Sequence, residues 1–352
     1  MELNRRKFLQ AAAIGAGGLA LTRTSSPGPA FADPYLGSAG VDAETLSGLL
    51  VGAGNDYLDL KIVDYVRRIR ISSGTTCWSQ GTGSIGGFSI GSDVLLRLDP
   101  AGVASRMWFD LTRVIGSVQS HAGAVTTVLD RAGQLLQIRS TESTRFETFQ
   151  GGLAVPPILA TLAPGSLVDV IGYLGPAEEV VATIYAYEGA DLPIVVNPPT
   201  VDGPVGDPSQ VYTYKGHATW FRCSTGAGAC GTCNTGVNNL VAWPQTASNC
   251  TGCTYNCGNC SKGCTNQQQL RCGSGVSIYA PCQQVTRQFT VVDVGPYLVD
   301  SAGRPSALCG RVCTKCNYQR ANAIVDMTRE TFARFFDPAT VGCFPVDASV
   351  RV

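Results

Sequence analysis

Apolar and polar residues alternate with a period of two along most of this chain, and helical spacing is confined to its tail. Leu167, Val168, Val170 and Ile171 lead into a Gly175-Pro176 turn, and Val180 to Tyr187 alternates after it, which predicts two strands joined by a turn. Gln288 to Val294 sets Phe289, Val291 and Asp293 against Thr290, Val292 and Val294, then stops at Gly295-Pro296. Phe344, Val346, Ala348 and Val350 alternate in a final strand. Between these strands Thr328 is a good N-cap for a helix over 329–336, with Glu330 near its positive end. Phe332, Phe335 and Phe336 fall on one face of that helix, and with Phe344 they are expected in a core. The predicted class is all-β.

The middle of the chain repeats itself. "RRIRISSGTT" (67–76) returns as "QLLQIRSTEST" (134–144), and "GSDVLLRLDPAGVASRMWFD" (91–110) as "GSLVDVIGYLGPAEEVVATIY" (165–185). The offsets are about 67 and 74 residues, so the second copy carries a longer loop around Gly151-Gly152 to Pro157. The pattern resembles small OB-like β-barrels of exported bacterial proteins, in which a G-x-x-V-x-V-x-G strand precedes a hairpin. Such folds bind oligosaccharides or single-stranded nucleic acid. Unit 1 is assigned to 56–113 and unit 2 to 114–188, with 33–55 as a connector. Residues 189–210 hold five prolines and three aspartates and read as an extended linker, which sets a boundary near Val211. The middle shows no paired carboxylates, phosphate loop or histidine cluster. His121 reads as a surface-loop residue and Cys77 as buried and free.

The chain opens on Arg5, Arg6 and Lys7 before Phe8-Leu9-Gln10, close to the twin-arginine export consensus. A weakly apolar run, Ala11 to Leu21, and the small-x-small site Ala30-Phe31-Ala32 follow. That run is half of the roughly 20 residues a membrane span needs, so 1–32 reads as a cleaved signal peptide and no span is expected. The formal charge of zero divides into +3 over 1–32, −9 over 33–210 and +6 over 211–352. An acidic middle argues against nucleic acid, and a basic C-terminal third suits anionic polymers such as wall polysaccharides.

Fourteen of the fifteen cysteines lie in that basic third: Cys223, Cys230, Cys233, Cys250, Cys253, Cys257, Cys260, Cys264, Cys272, Cys282, Cys309, Cys313, Cys316 and Cys343. An even number at this density reads as a disulfide framework in an exported scaffold. Zinc is the rival, because Cys230-x-x-Cys233 and Cys250-x-x-Cys253 stand at ribbon spacing and Cys257-x-x-Cys260 and Cys313-x-x-Cys316 add further pairs. The Gly/Asn/Thr-rich run 250–264 favours stapled loops, so neither a metal nor a cofactor is expected.

"GHATWF" (216–221), "GACGTCN" (228–234), "CGSGVSIYAPC" (272–282), "FTVVDVGP" (289–296), "AIVDMTRETFARFF" (323–336) and "GCFPVDASVRV" (342–352) follow one another in this order. Together, over 211–352 with an insertion at about 246–270, they resemble the six-stranded double-psi β-barrel of expansins, barwin-like endoglucanases and rare-lipoprotein-A-type lytic transglycosylases. The resemblance implies a polysaccharide groove past Thr219 and Asp326 with Asp293 beside it. Trp220, Phe221, Trp243, Tyr279 and Tyr297 are candidate faces for sugar rings, and Asp326 and Asp293 the candidate catalytic carboxyls. Departures matter. Arg222, Cys223 and Ser224 stand where the endoglucanases carry a base, and Ala242-Trp243 where the transglycosylases carry Ala-His. Val294 stands where those transglycosylases have an arginine, Ile324 or Val325 replaces an expansin histidine, and His217 remains.

Glycoside hydrolysis by the usual route needs two carboxyls, whereas a lytic transglycosylase manages with one. The resemblance therefore implies, first, a secreted expansin-like protein that binds cell-wall polysaccharide, with or without loosening it, and does not hydrolyse it. A lytic transglycosylase using Asp326 or Asp293 is the second reading. A protein-binding barrel, such as an inhibitor of cysteine proteases presenting the 246–270 loop, is the third.

Overall fold

The computed structural model describes residues 44–78, 89–130, 133–149, 162–175, 178–188, 211–222, 239–244, 267, 270, 272–295 and 311–351. Among these the chain is all-β apart from one short helix, as expected.

Unit 1 contains β1 (Thr45–Ala53), β2 (Tyr57–Ile62), β3 (Tyr65–Arg70), β4 (Thr76–Trp78), β5 (Asp93–Leu98) and β6 (Ala104–Phe109), in the order β3-β2-β1-β5-β6-β4. Unit 2 contains β7 (Leu111–Ala122), β8 (Val125–Asp130), β9 (Leu135–Arg139), β10 (Arg145–Thr148), β11 (Leu167–Leu174) and β12 (Val180–Tyr187), in the order β10-β12-β11-β7-β8-β9. A parallel β9–β12 pairing closes five of its strands into a ring, and a single parallel bridge, Arg70 to Val103, does the same in unit 1.

The expected boundaries shift. Residues 45–53, assigned above to a connector, form β1, which pairs with both β2 and β5 and is buried at Thr45, Leu46, Ser47 and Leu50. The 113/114 border falls inside β7, whose register with β11 starts at Leu111. Glycines hid β1. Gly48 meets the Lys61 carbonyl where a Cβ would sit, and its counterpart Gly116 meets that of Leu129, so both mark close strand approach.

The repeat extends to hydrogen bonds. After β3, Thr75 Oγ1 accepts from the Ser72 N–H (2.9 Å) and donates to the Ala104 carbonyl (2.5 Å). After β9, Thr144 Oγ1 accepts from the Thr141 N–H (2.8 Å) and donates to the Ala182 carbonyl (2.7 Å). The turns before β5 and β11 place Gly91 and Gly165 at φ +97° and +92°, which only glycine adopts without strain.

The last third closes into a six-stranded barrel, β13-β19-β14-β16-β15-β20, made of β13 (Val211–Phe221), β14 (Leu240–Trp243), β15 (Gly275–Ala280), β16 (Val285–Val294), β19 (Ala323–Thr328) and β20 (Phe344–Arg351). Two of its neighbouring pairs, β13 with β19 and β14 with β16, are parallel, in keeping with the expected double-psi barrel. A hairpin, β17 (Val312–Lys315) and β18 (Tyr318–Ala321), packs against β13 and β20. Helix α1 spans Arg329–Ala333, with the Thr328 hydroxyl accepting from the Thr331 N–H. It ends short of the expected 329–336, because the chain tightens at Arg334 and Pro338 follows closely. Phe332, Phe335 and Phe336 all pack on Phe344, at ring-centroid separations of 5.1, 5.3 and 4.9 Å, and form the expected core.

One hydrophobic cluster runs through all three modules. Leu95 and Trp108 of unit 1 and Leu111, Ile171, Tyr173 and Ile184 of unit 2 belong to the same buried cluster as the barrel interior. Polar contacts follow the seam. Arg329 Nη1 bonds Asp93 at 2.5 Å and the Leu111 carbonyl at 3.1 Å, Trp108 Nε1 donates to Asp337 at 2.9 Å, and Thr183 Oγ1 to the Ala339 carbonyl at 2.6 Å. Thr45 and Ser47 bond Glu330 of α1, at its carbonyl and its carboxylate.

Candidate functional site

Register assembles the predicted residues. Thr219 of β13 lies opposite Asp326 of β19, Asp326 opposite Ala242 of β14, and Ala242 opposite Asp293 of β16. Four strands thus form one row, and the Thr219 hydroxyl donates to the Asp326 carboxylate.

At the Asp326 end that row is closed by unit 2. Arg113 of β7 places Nη1 3.6 Å from Asp326 Oδ1 and gives the Trp220 carbonyl a hydrogen bond. Its Nε and Nη2 make a bidentate pair with Asp169 of β11, both at 2.8 Å. Asp326 keeps 8% exposure and Thr219 2%. Burial disfavours the Arg113 charge, but Asp169 and Asp326 outweigh it and raise its pKa above the usual arginine range. The trough expected above Asp326 is therefore filled by a guanidinium and its second carboxylate. Asp293, further along, is half-buried.

The aromatic candidates divide. Trp220 and Trp243 are fully buried, a correction to their expected role as sugar platforms. Both fill the interior of a closed barrel, and Trp243 sits edge-on to Tyr214 at 5.9 Å between centroids. Phe221 is half-buried, Tyr279 is 36% exposed, and Tyr297 lies outside the described residues. Arg222, standing where a base was missed, pairs with Asp93 at 3.4 Å. His217 is buried, its Nδ1 3.3 Å from the Arg320 carbonyl, and burial with the nearby Arg311 charge lowers its pKa to about 3. It stays neutral at ordinary pH. His121 lies near the end of β7 beside Thr126 rather than in a loop.

Cys313–Cys343 and Cys282–Cys316 are disulfides, so the Cys313-x-x-Cys316 pair joins two different partners and is no metal clip. Cys272 is also disulfide-bonded. The other nine cysteines of the framework, and with them the zinc-ribbon spacing, lie outside the described residues. Among the described residues no group of three or more potential ligands stands where it could hold a metal. Cys77 is free and partly buried, its pKa pushed up to about 12 by burial.

Sequence reading missed the charged seam of unit 2. Arg311 reaches Asp169 and, at 3.4 Å, Glu147, beside the Arg113 pair. The available signal was Asp169 itself, one carboxylate in the apolar run of β11, since a buried charge requires a partner.

No family model and no curated protein matches this chain. Among solved structures it is similar to a Streptomyces papain inhibitor, with 21% identity over 43% of this chain and 100% of that one, at a TM-score of 0.22.

Proposed function

We propose that this chain is a secreted, non-catalytic binding protein that attaches to cell-wall polysaccharide without cleaving it. The closure of Asp326 by Arg113 at 3.6 Å carries the non-catalytic part of the reading, and the basic balance of residues 211–352 supports the wall-polymer part. A general acid must reach the leaving oxygen of its substrate, and this carboxylate faces a guanidinium and a threonine hydroxyl instead. Export fits the disulfides at Cys272, Cys282–Cys316 and Cys313–Cys343, since such bonds persist in oxidising compartments. No helix among the described residues is long and apolar enough to cross a membrane.

The test is sedimentation of the full-length protein with peptidoglycan, cellulose or chitin, with mass spectrometry of the supernatant. Binding without released fragments is expected. Release of anhydro-sugars that Asp326→Asn abolishes would replace this reading with the transglycosylase.

A protein-binding reading has one observation in its favour. Leu49, Val51, Val63, Tyr65, Val66 and Ile90 gather around β1 and the β2–β3 hairpin of unit 1, each 42–58% exposed. Unit 2, built on the same strand order, carries Ser117, Gln119 and Gln134 where unit 1 has Leu49, Val51 and Tyr65. Val66 has an exposed apolar counterpart in Leu135, so the fold leaves Leu49, Val51 and Tyr65 free to be polar, and exposed apolar residues of that kind mark interaction surfaces. Inhibition of a papain-like protease by the full chain, lost in Tyr65→Glu/Val66→Glu while wall binding persists, would select this reading.

A further inference from the structure

The barrel has a second polar face, on β15, β20 and the first half of β13, which shares only β13 with the closed row. Along β15, β20 and β13 the outward residues stand in register: Tyr279 opposite Asp347 and Asp347 opposite Lys215, then Ser277 opposite Ser349 and Ser349 opposite Thr213. Beside this face lies the β17–β18 hairpin. Arg320 of β18 reaches Asp347 at 3.5 Å and stands 5.5 Å from the ring centroid of Tyr318. Contacts thus join Tyr318, Arg320 and Asp347, and Tyr279 stands opposite Asp347 in the register.

Tyr279 and Tyr318, at 36% and 38%, are two of the three exposed aromatic side chains among the described residues. Both are held by covalent bonds close at hand. The Cys282–Cys316 bridge joins the segment just after β15 to the turn just before Tyr318, with Cα atoms 5.5 Å apart. Cys313–Cys343 fastens the other strand of the hairpin to the start of β20. Between the rings, Arg320 and Asp347 keep 25% and 23% of their side chains exposed.

We propose that this face is a saccharide-binding platform. Tyr279 and Tyr318 stack on the C–H faces of sugar rings, while Arg320, Asp347 and Lys215 exchange hydrogen bonds with hydroxyl and carboxylate groups. Sugars present apolar faces edged by hydroxyls, and rigid tyrosines beside polar groups match that alternation at low entropic cost. A protein partner would require an apolar centre, which Lys215 and Asp347 deny it. A nucleic-acid chain would require a stripe of positive charge, which Asp347 interrupts.

This inference rests on the wall-binding reading and locates it on the barrel. The experiment compares full-length wild type, Tyr279→Ala/Tyr318→Ala, Tyr279→Phe/Tyr318→Phe and Asp326→Asn in binding isotherms with peptidoglycan and with cellulose. The alanine pair is expected to bind at least about tenfold more weakly, while the phenylalanine pair and Asp326→Asn bind as wild type. Should the alanine pair bind undiminished, or Asp326→Asn lose binding, the platform falls and wall binding stands. Should wild type bind no glycan, the functional reading falls with it. Nitration of wild type gives a readout independent of variant folding: bound glycan protects Tyr279 and Tyr318 but not Tyr65, and equal labelling with and without glycan overturns the platform.

Discussion

Arg113 fixes what the barrel carboxylate can do. One guanidinium serves Asp169, Asp326 and the Trp220 carbonyl, so truncating it takes a cation away from two buried carboxylates at once. Arg113→Ala is expected to lower stability by about 3–5 kcal/mol in urea unfolding, far more than Asp326→Asn, which keeps a partner for Thr219. His217 gives a pH signature. Its folded pKa lies near 3 against 6.5 for an unperturbed imidazole, because burial and Arg311 disfavour the imidazolium. Between those values the unfolded chain binds a proton that the folded chain does not. The stability contribution is therefore complete above about pH 6.5 and declines as pH falls towards 3, by up to about 1.4 kcal/mol per unit. Comparing urea midpoints of wild type and His217→Leu across that window should give a shallower acid slope for the variant. Equal slopes would assign the acid loss to other groups.

Two copies of one turn do the same work in units 1 and 2. Thr75 and Thr144 each cap a backbone N–H and satisfy a carbonyl of the closing strand. Thr144→Val leaves the Ala182 carbonyl buried and unpaired, an expected loss of about 1–3 kcal/mol in thermal or urea unfolding, and Thr75→Val should match it. This part of the molecule was legible, because the echo between 67–76 and 134–144 falls on these turns. So was the phenylalanine core, because the spacing of Phe332, Phe335, Phe336 and Phe344 reports burial directly. β1 was not, since glycines at 48, 52 and 54 interrupt its alternation and their meaning depends on strands they approach. The row Thr219–Asp326–Asp293 was also foreseen as a group. Its closure was not, because Arg113 lies more than a hundred residues from Asp326 and nothing local to either announces the pairing. Trp220 and Trp243 misled for a related reason: an aromatic residue in a strand pattern reads alike whether it faces ligand or core.

At the scale of the whole chain, the two OB-like units and the barrel behave as one packed body. Leu95, Trp108, Leu111, Ile171 and Tyr173 share a cluster with Phe336 and Phe344, and buried ion pairs, Arg329 with Asp93 and Arg311 with Asp169, cross the seams. Interfaces that are apolar and interlocked outlast the peptide bond that joins them. A protease site inserted within 189–210 and cut after purification should therefore leave two fragments that co-elute on gel filtration and unfold in one transition. Separate elution would assign the seam to a loose contact.

That shared cluster bears on ancestry. Genetic shuffling that carried the barrel alone into another gene would deliver Arg329 without its carboxylate and an oily flank without its cover. A transplanted copy would need new surface chemistry before it could persist, so the three modules are expected to be inherited as a block, with lineages gaining or losing them together.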